Sequence, residues 1–264
     1  MGRVRRIWRL TAVVLVVFFS LLALPFLPVV GGRGREWIAR VIFRAVLLAV
    51  GVRLVVTGAA ALAARGRGTM VVNNHTSWLD IVAVNAVRPM RALAKRDIAS
   101  WPVLGWLVSA AGSVYVDREG LRSLPGTVTE LATALRSGAT VNICPEGTTW
   151  CGLTHGRFRP AMFQAAIDGG VPVLPVALRF RVADSTTTAP AFIGDETIVD
   201  SVRRTVALRG LVLEMHVLDE IAPGRAADRH ELAALAETAV DTVLLPAPLA
   251  HEKLSTSTVV EVAR

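Results

Sequence analysis

The sequence predicts an α/β fold, a mostly parallel sheet flanked by helices, behind an N-terminal two-helix membrane element. Three observations predict it. Beyond Arg53, short β-branched runs alternate with stretches of helical period, as strands joined by crossover helices require. Before that point, residues 10–32 form an uncharged, strongly apolar run. Finally, the residues able to do chemistry sit just after strand-like runs, at the strand ends where α/β folds hold ligands. The 264 residues divide on this basis into a membrane element (1–53), an α/β domain (54–245) and a C-terminal tail (246–264).

In the N-terminal part, Arg3, Arg5, Arg6 and Arg9 precede the apolar run, and Arg33, Arg35, Arg40 and Arg44 follow it. A helix of about 23 residues would measure roughly 34 Å, enough to span a bilayer core. Pro25 and Pro28 interrupt it, which leaves an unbroken stretch over 10–24. Arginine on both sides suits a hairpin with both ends on the cytoplasmic side. A cleavable signal peptide is the other reading. Its hydrophobic region would be long, and no small-x-small site follows. In the next segment Glu36, Arg40 and Arg44 recur every four residues and make one polar stripe. Trp37, Ile38, Val41, Ile42, Leu47 and Leu48 fill much of the remainder, so the helix suits a membrane interface. Packing of that helix on the globular domain is the alternative.

Strands are expected at 54–57, 69–72, 91–94, 113–116, 141–144, 172–179 and 211–218. Helices are expected at 77–87, 102–110, 121–137, 160–168 and 229–244, with a threonine-rich loop at 183–191. The Val-Pro-x-x-Pro run from Val171 to Pro175 reads as a buried edge or bulged strand.

Composition narrows the partners. The chain is 53% hydrophobic with a net charge of +8 and a mean hydropathy of +0.50; Lys95 and Lys253 are its only lysines. A basic, apolar chain fits an anionic membrane surface. Nucleic acid is excluded, because no basic run is interleaved with aromatics. Cys144 and Cys151 match neither a redox pair nor a zinc site and read as two reduced thiols of a cytosolic compartment. His155, His216, His230 and His251 are scattered, so no metal is expected.

The most informative stretch is Asn73-Asn74-His75-Thr76-Ser77-Trp78-Leu79-Asp80. It places a histidine and an aspartate five positions apart, after the strand at 69–72. An imidazole held by a carboxylate has a fixed tautomer and a stabilised protonated form, so it can take a proton from an alcohol. Ser77 lacks the Gly-x-Ser-x-Gly turn of a nucleophile. The spacing from Ser77 to Asp80 is also that of a capping box, which would start a helix and fix Asp80 in its first turn. The two readings coexist.

Further pieces follow other strands. Pro145-Glu146-Gly147-Thr148 ends the strand at 141–144; Glu146 could bind an acceptor hydroxyl and Gly147 allows a close backbone turn. Lys95, Arg96 and Arg118 lie after strands, where cations can receive an anionic headgroup. Arg157 and Arg159 precede Pro160 at a helix start, a plausible anion site. For each single cation, a solvated surface role is the competing reading.

Together these pieces resemble the bacterial 1-acylglycerol-3-phosphate acyltransferases and the wider lysophospholipid acyltransferases. Asn74, His75, Ser77 and Asp80 match the first motif, and Gly112, Tyr115 and Arg118 the second, with tyrosine for phenylalanine. Pro145 to Thr148 match the third and Val171 to Pro175 the fourth, in order over about residues 70 to 180. The resemblance implies His75 as general base and Asp80 as its orienting partner. Glu146, Gly147 and Thr148 would hold the acceptor, Lys95 and Arg118 its headgroup. It also implies a glycerolipid-acyltransferase-like domain, an acyl donor that is coenzyme A or acyl-carrier protein thioester, and no further cofactor. The third motif departs: Thr149 stands where the family has a phosphate-gripping arginine, and Cys144 where it has phenylalanine. A lost guanidinium weakens phosphate recognition. Arg157 or Arg159 would compensate, or the acceptor lacks a phosphate monoester, as lyso-ornithine lipid does.

The expected reaction is acyl transfer at the cytoplasmic face of a cell membrane. Backbone amides near Ser77 are the candidate oxyanion donors. Direct transfer needs no acyl-enzyme; Cys144 and Cys151 are the candidates for a covalent route. Two further readings are a thioester hydrolase that activates water and a membrane adaptor without turnover.

Overall fold

Eight strands form a single sheet in the computed structural model, which describes residues 2–62, 66–117, 120–194 and 196–245. The strands are β1 (Val52–Thr57), β2 (Thr69–Asn73), β3 (Arg91–Lys95), β4 (Val114–Val116), β5 (Thr140–Ile143), β6 (Val173–Val182), β7 (Ser185–Thr186) and β8 (Leu211–Val217). Their order is β1-β8-β6-β2-β5-β3-β4, with the short β7 on β6. Every pairing is parallel except those of β6 with β8 and β7. The helices are α1 (Gly2–Ala23), α2 (Gly32–Val50), α3 (Ala59–Leu62), α4 (Trp78–Val87), α5 (Leu104–Ala110), α6 (Leu124–Arg136), α7 (Gln164–Gly169), α8 (Ile198–Ala207) and α9 (Arg229–Leu244).

Alternating side chains divide the core between the two faces of the sheet. On β2, Val71 joins the cluster formed with α2, α4, α8, β6 and β8, while Met70 and Val72 join the one formed with α6, α7 and α9. Both faces of β2 and β5 are therefore covered, and every residue of these strands is buried. Burying both faces of its central strands leaves the sheet's carboxyl edge as the place where loops can converge.

The helix that matters most is α4. Ser77 caps it, with its side chain accepting from Leu79 N and the Asp80 carboxylate from the Ser77 amide at 2.8 Å, the reciprocal pair of a capping box. It stops at Arg88, which is extended (φ −140°, ψ 114°) because Pro89 follows. Its residues are apolar except Asp80 and Asn85, in keeping with its place between the sheet and α2. Arg44 of α2 donates to Ala86 O at 3.0 Å, satisfying a carbonyl in the last turn.

The N-terminal helix begins earlier than the apolar run suggests. Arginine is a good helix former, so α1 starts at Gly2 and includes Arg3 to Arg9. It ends at Ala23, and Pro25 and Pro28 fall in a 3-10 turn, Leu24–Val29. Two of its arginines dock it on the rest of the chain. Arg9 donates to Val206 O at 3.0 Å and Leu208 O at 2.7 Å, and Arg5 to Ala207 O at 3.0 Å. These cations meet the carbonyl end of α8. The segment Gly2–Val29 is long and apolar enough to cross a membrane. Trp8, Val14, Phe18, Phe19, Leu22, Phe26 and, on α2, Trp37 are exposed.

Other expectations change in detail. The Val-Pro-x-x-Pro strand is not an edge: β6 lies between β8 and β2. Its irregularity is on the β8 side, where Leu218 N and Ile221 N donate to Pro175 O and Val173 O. Pro175 thus needs no N–H of its own there. The threonine-rich loop contains β7, and α8 lies in a stretch for which no helix is expected. The helix expected at 121–137 begins as a 3-10 turn, Leu121–Ser123. The tail 246–264 lies outside the described residues.

Replacing Arg9 with alanine removes two charge-assisted bonds to half-buried carbonyls. The expected cost is about 1–3 kcal/mol, read as a lower thermal midpoint in detergent; a variant as stable as wild type contradicts this docking.

Candidate active site

The loop joining β2 to α4 is fastened on both sides before it presents any chemistry. Asn74 uses its side chain as a spare strand partner, accepting from Leu178 N at 2.8 Å and donating to Leu178 O at 2.9 Å. Phe192 N donates to Thr76 O at 2.9 Å. From the β5 side, Trp150 N donates to His75 O at 2.7 Å, and His75 N donates to Glu146 Oε1 at 3.2 Å. His75 is held by its backbone from the loop after β5, while its neighbours Asn74 and Thr76 are tied to β6 and the segment beyond it.

The Asp80 carboxylate completes the arrangement. It is fully buried, and its Oδ2 accepts from the amides of Thr76 (2.7 Å) and Ser77 (2.8 Å) and lies 3.0 Å from His75 Nδ1. The side chain of His75 is 16% exposed. A proton on Nδ1 satisfies Asp80 and leaves Nε2 with a lone pair. Burial is the largest influence on the ring and favours its neutral form. Cys144 and the Asp80 carboxylate outweigh it together, and the pKa is raised well above the ordinary 6.5. The amides expected to stabilise an oxyanion are already engaged: Thr76 and Ser77 serve Asp80, and Leu79 serves Ser77.

Glu146 is 3% exposed, and its Oε2 has no hydrogen-bond partner among the described residues. Burial pushes its pKa up to about 8, against the opposing pull of the His75 amide and ring and the Gly156 amide. It is thus a neutral acid, able to donate a hydrogen bond, over most of the physiological range. Gly147 follows with φ +78°, a conformation that favours glycine, and the Arg159 guanidinium packs against it: a Cβ there would lie 3.1 Å from Arg159 Nε. Arg159 N also donates to Pro145 O at 2.9 Å. The motif Pro145–Thr148 and Arg159 are therefore one unit.

The remaining predicted residues fall into place unevenly. Thr148 is exposed on the same turn, and Arg157 is exposed beyond it. Lys95 ends β3 and pairs with Asp97 at 2.6 Å. Arg118 lies outside the described residues. Thr149, in the position of the absent arginine, donates its hydroxyl to Phe192 O. The neighbour that sequence reasoning missed is Cys144, which contributes to raising the pKa of the His75 ring and whose Sγ lies 3.7 Å from Asn73 Nδ2. Only the register of β2 on β5, with Val72 opposite Ile143, signals it, by setting Cys144 beside the residues that lead into His75.

This is an α/β sheet with a carboxylate-held histidine at the carboxyl ends of its strands. Residues 53–179 match the family model described as Acyltransferase. A 1-acyl-sn-glycerol-3-phosphate acyltransferase of Neisseria gonorrhoeae is 34% identical over 67% of this chain and 69% of its own length. A lyso-ornithine lipid O-acyltransferase of Pseudomonas aeruginosa is 35% identical over 66% of each chain. The crystal structure of the 1-acyl-sn-glycerophosphate acyltransferase from Thermotoga maritima superposes with a TM-score of 0.71 at 19% identity, covering 98% of this chain and all of that one. The chain belongs to the acyltransferase family.

Glu146 binds a proton on folding, because its folded pKa of about 8 exceeds the ordinary 4.5. Its contribution to stability is full below about 4.5 and is lost as pH rises through about 8. Glu146→Gln, which is neutral throughout, should gain on wild type by a few kcal/mol in order of magnitude from about pH 5 to about pH 9. Parallel stability curves in urea titrations across that window would contradict a buried neutral acid.

Proposed function

We propose that the chain moves a fatty acyl group from a thioester to the hydroxyl of a lysolipid, with 1-acylglycerol-3-phosphate as acceptor and phosphatidic acid as product. His75 Nε2 takes the proton of the acceptor hydroxyl, and the oxygen attacks the thioester carbonyl. Asp80 holds the ring and stabilises the imidazolium formed. Collapse of the tetrahedral species expels the thiol, which recovers the proton. Glu146, as a neutral acid beside the His75 backbone, hydrogen-bonds the acceptor. Gly147 and Thr148 shape the turn, Arg159 over Gly147 supplies the anion-binding group that Thr149 does not, and Lys95 and Arg157 line the headgroup's approach; Arg118 is assigned to the headgroup by its motif match alone. The donor is the thioester of coenzyme A or acyl-carrier protein, and the reaction needs no metal or other cofactor. The exposed apolar residues of α1 and α2 bring the site to the cytoplasmic face of the cell membrane. The observation that carries this reading is the 3.0 Å contact between His75 Nδ1 and a buried, fully oriented Asp80 in a member of the acyltransferase family.

One observation favours a second acceptor. Thr149 is turned away onto Phe192 O, and a similar relative is named a lyso-ornithine lipid acyltransferase. A panel of lysolipids offered with labelled acyl thioesters, with products identified by mass, decides between them: phosphatidic acid is expected, and acylated ornithine lipid alone would reassign the acceptor.

His75→Ala should lose roughly 100-fold or more of kcat/KM while keeping its fold. Because the His75 pKa is raised, the free base accumulates only well above pH 6.5. In wild type, kcat/KM should therefore climb through an alkaline limb. Asp80→Asn removes a group that raises this pKa, so the limb should move to lower pH as the plateau falls roughly 10²–10⁴-fold. A profile unchanged in Asp80→Asn would contradict the pairing.

A further inference from the structure

Residues 150–159 form a strap beside the site, and the middle of the strap is fastened to a helix that the mechanism does not use. One end is tied to the catalytic loop. Trp150 N donates to His75 O at 2.7 Å, and Gly152 packs on Thr76, where a Cβ would lie 3.2 Å from Cγ2. The other end is tied to the acceptor motif. Arg159 N donates to Pro145 O at 2.9 Å, and its guanidinium lies against Gly147. In between the strap folds on itself, since Gly156 lies so close to the Trp150 indole that no side chain would fit there. None of these residues belongs to a helix or a strand, so the strap depends on outside contacts for its position.

Helix α9 supplies those contacts. Glu237 Oε2 accepts from Phe158 N at 2.7 Å, and Asp241 Oδ1 pairs with His155 Nε2, a second imidazole–carboxylate pair away from His75. Phe158 is buried and stacks on Phe163 below. Glu237 and Asp241 are four residues apart and share one face of α9. Like charges at that spacing repel and weaken a helix. Here each finds its partner in the strap. The helix is itself fixed, because Leu232, Ala233, Ala236 and Val240 are buried in the core and α9 packs against β6. Two acids on a rigid core helix therefore hold the segment that carries Arg159.

We propose that Glu237 and Asp241 are positioning residues for the acceptor: by clamping Phe158 and His155 they set Arg159 over Gly147, and so determine how tightly the lysolipid headgroup binds. This rests on the acyl-transfer reading above and on the acceptor role given there to Glu146, Gly147, Thr148 and Arg159. Both acids act through the strap, whereas the His75 ring is held separately by Asp80. An interaction made equally in the ground state and the transition state changes KM and leaves kcat alone. The clamp should accordingly govern the KM for lysolipid, without touching the chemical step or the donor.

The test uses the full chain in detergent with palmitoyl-coenzyme A and 1-acylglycerol-3-phosphate. Glu237→Ala, Asp241→Ala and His155→Ala should each raise the KM for the lysolipid roughly 10-fold, the effect of one lost hydrogen bond. The kcat, the KM for palmitoyl-coenzyme A and the alkaline limb should stay near wild type. His155→Ala combined with Asp241→Ala should lose no more than either alone, as two halves of one contact do. Glu237→Gln and Asp241→Asn keep an acceptor oxygen and should recover most of the loss. Equilibrium binding of 1-acylglycerol-3-phosphate, which needs no turnover, should weaken by the same factor. Amide hydrogen exchange should quicken over residues 150–159 in the alanine variants and remain slow in α4. His155→Ala leaves α9 whole and carries the test if an α9 variant unfolds. Alanine variants with the wild-type KM, or with a lower kcat and a moved limb at unchanged KM, would overturn the inference and leave the proposed function standing. A wild type that acylates no lysolipid, with binding weakened in the variants, would uphold the clamp and overturn the proposed function.

Discussion

One carboxylate oxygen, Asp80 Oδ2, organises the site. It accepts from the amides of Thr76 and Ser77 and from the ring of His75. Those bonds are made inside the protein, where an unpaired charge would be costly, and they all fall on Oδ2; Oδ1 is buried with no hydrogen-bond partner among the described residues. The same residue closes the capping box that starts α4, so helix initiation and orientation of the imidazole are a single event. The helix and the histidine cannot be moved independently. A functional side chain is thereby locked by the most local of folding interactions, and the positive end of α4 falls beside an imidazole whose charge Asp80 offsets.

The sheet supplies what this local turn cannot. β2 lies between β5 and β6, so its terminal loop is flanked by theirs. Glu146 and Trp150 reach His75 from one side, while Leu178 and Phe192 hold Asn74 and Thr76 from the other. Placement at the carboxyl ends of parallel strands is the general ligand position of such sheets. On the far side of α4, Arg44 joins its last turn to α2, which is itself packed with α1. α4 is thus in direct contact with the element whose exposed aromatic side chains suit a lipid surface. Arginines that would read from sequence alone as interfacial charges, Arg5, Arg9 and Arg44, instead bind carbonyls at the ends of α8 and α4.

Much of this was legible in the residues. The strands declare themselves through β-branched runs, and α9 runs over Arg229–Leu244 as its period indicates. The pairing of His75 with Asp80 follows from a capping-box spacing, which is a local property. What was hidden depends on long-range packing. No helix is expected over α8, although Thr197 followed by Asp200 is a capping signal there, and the Thr197 hydroxyl accepts from Asp200 N at 3.2 Å. The central position of β6 is not apparent from its prolines, because Pro175 meets β8 where the ladder is irregular. The approach of Cys144 to Asn73 joins residues far apart in the chain through strand register, and Arg159 over Gly147 arises from a turn that no periodicity describes.

The central claim is that Asp80 fixes the tautomer and raises the basicity of His75. Nitrogen-15 and proton NMR of the ring, in selectively labelled protein titrated with pH, measures both directly. A neutral ring protonated at Nδ1 and bare at Nε2, with a pKa well above 6.5 that falls in Asp80→Asn, is the predicted result. A neutral ring protonated at Nε2, or a pKa indifferent to Asp80, would contradict it.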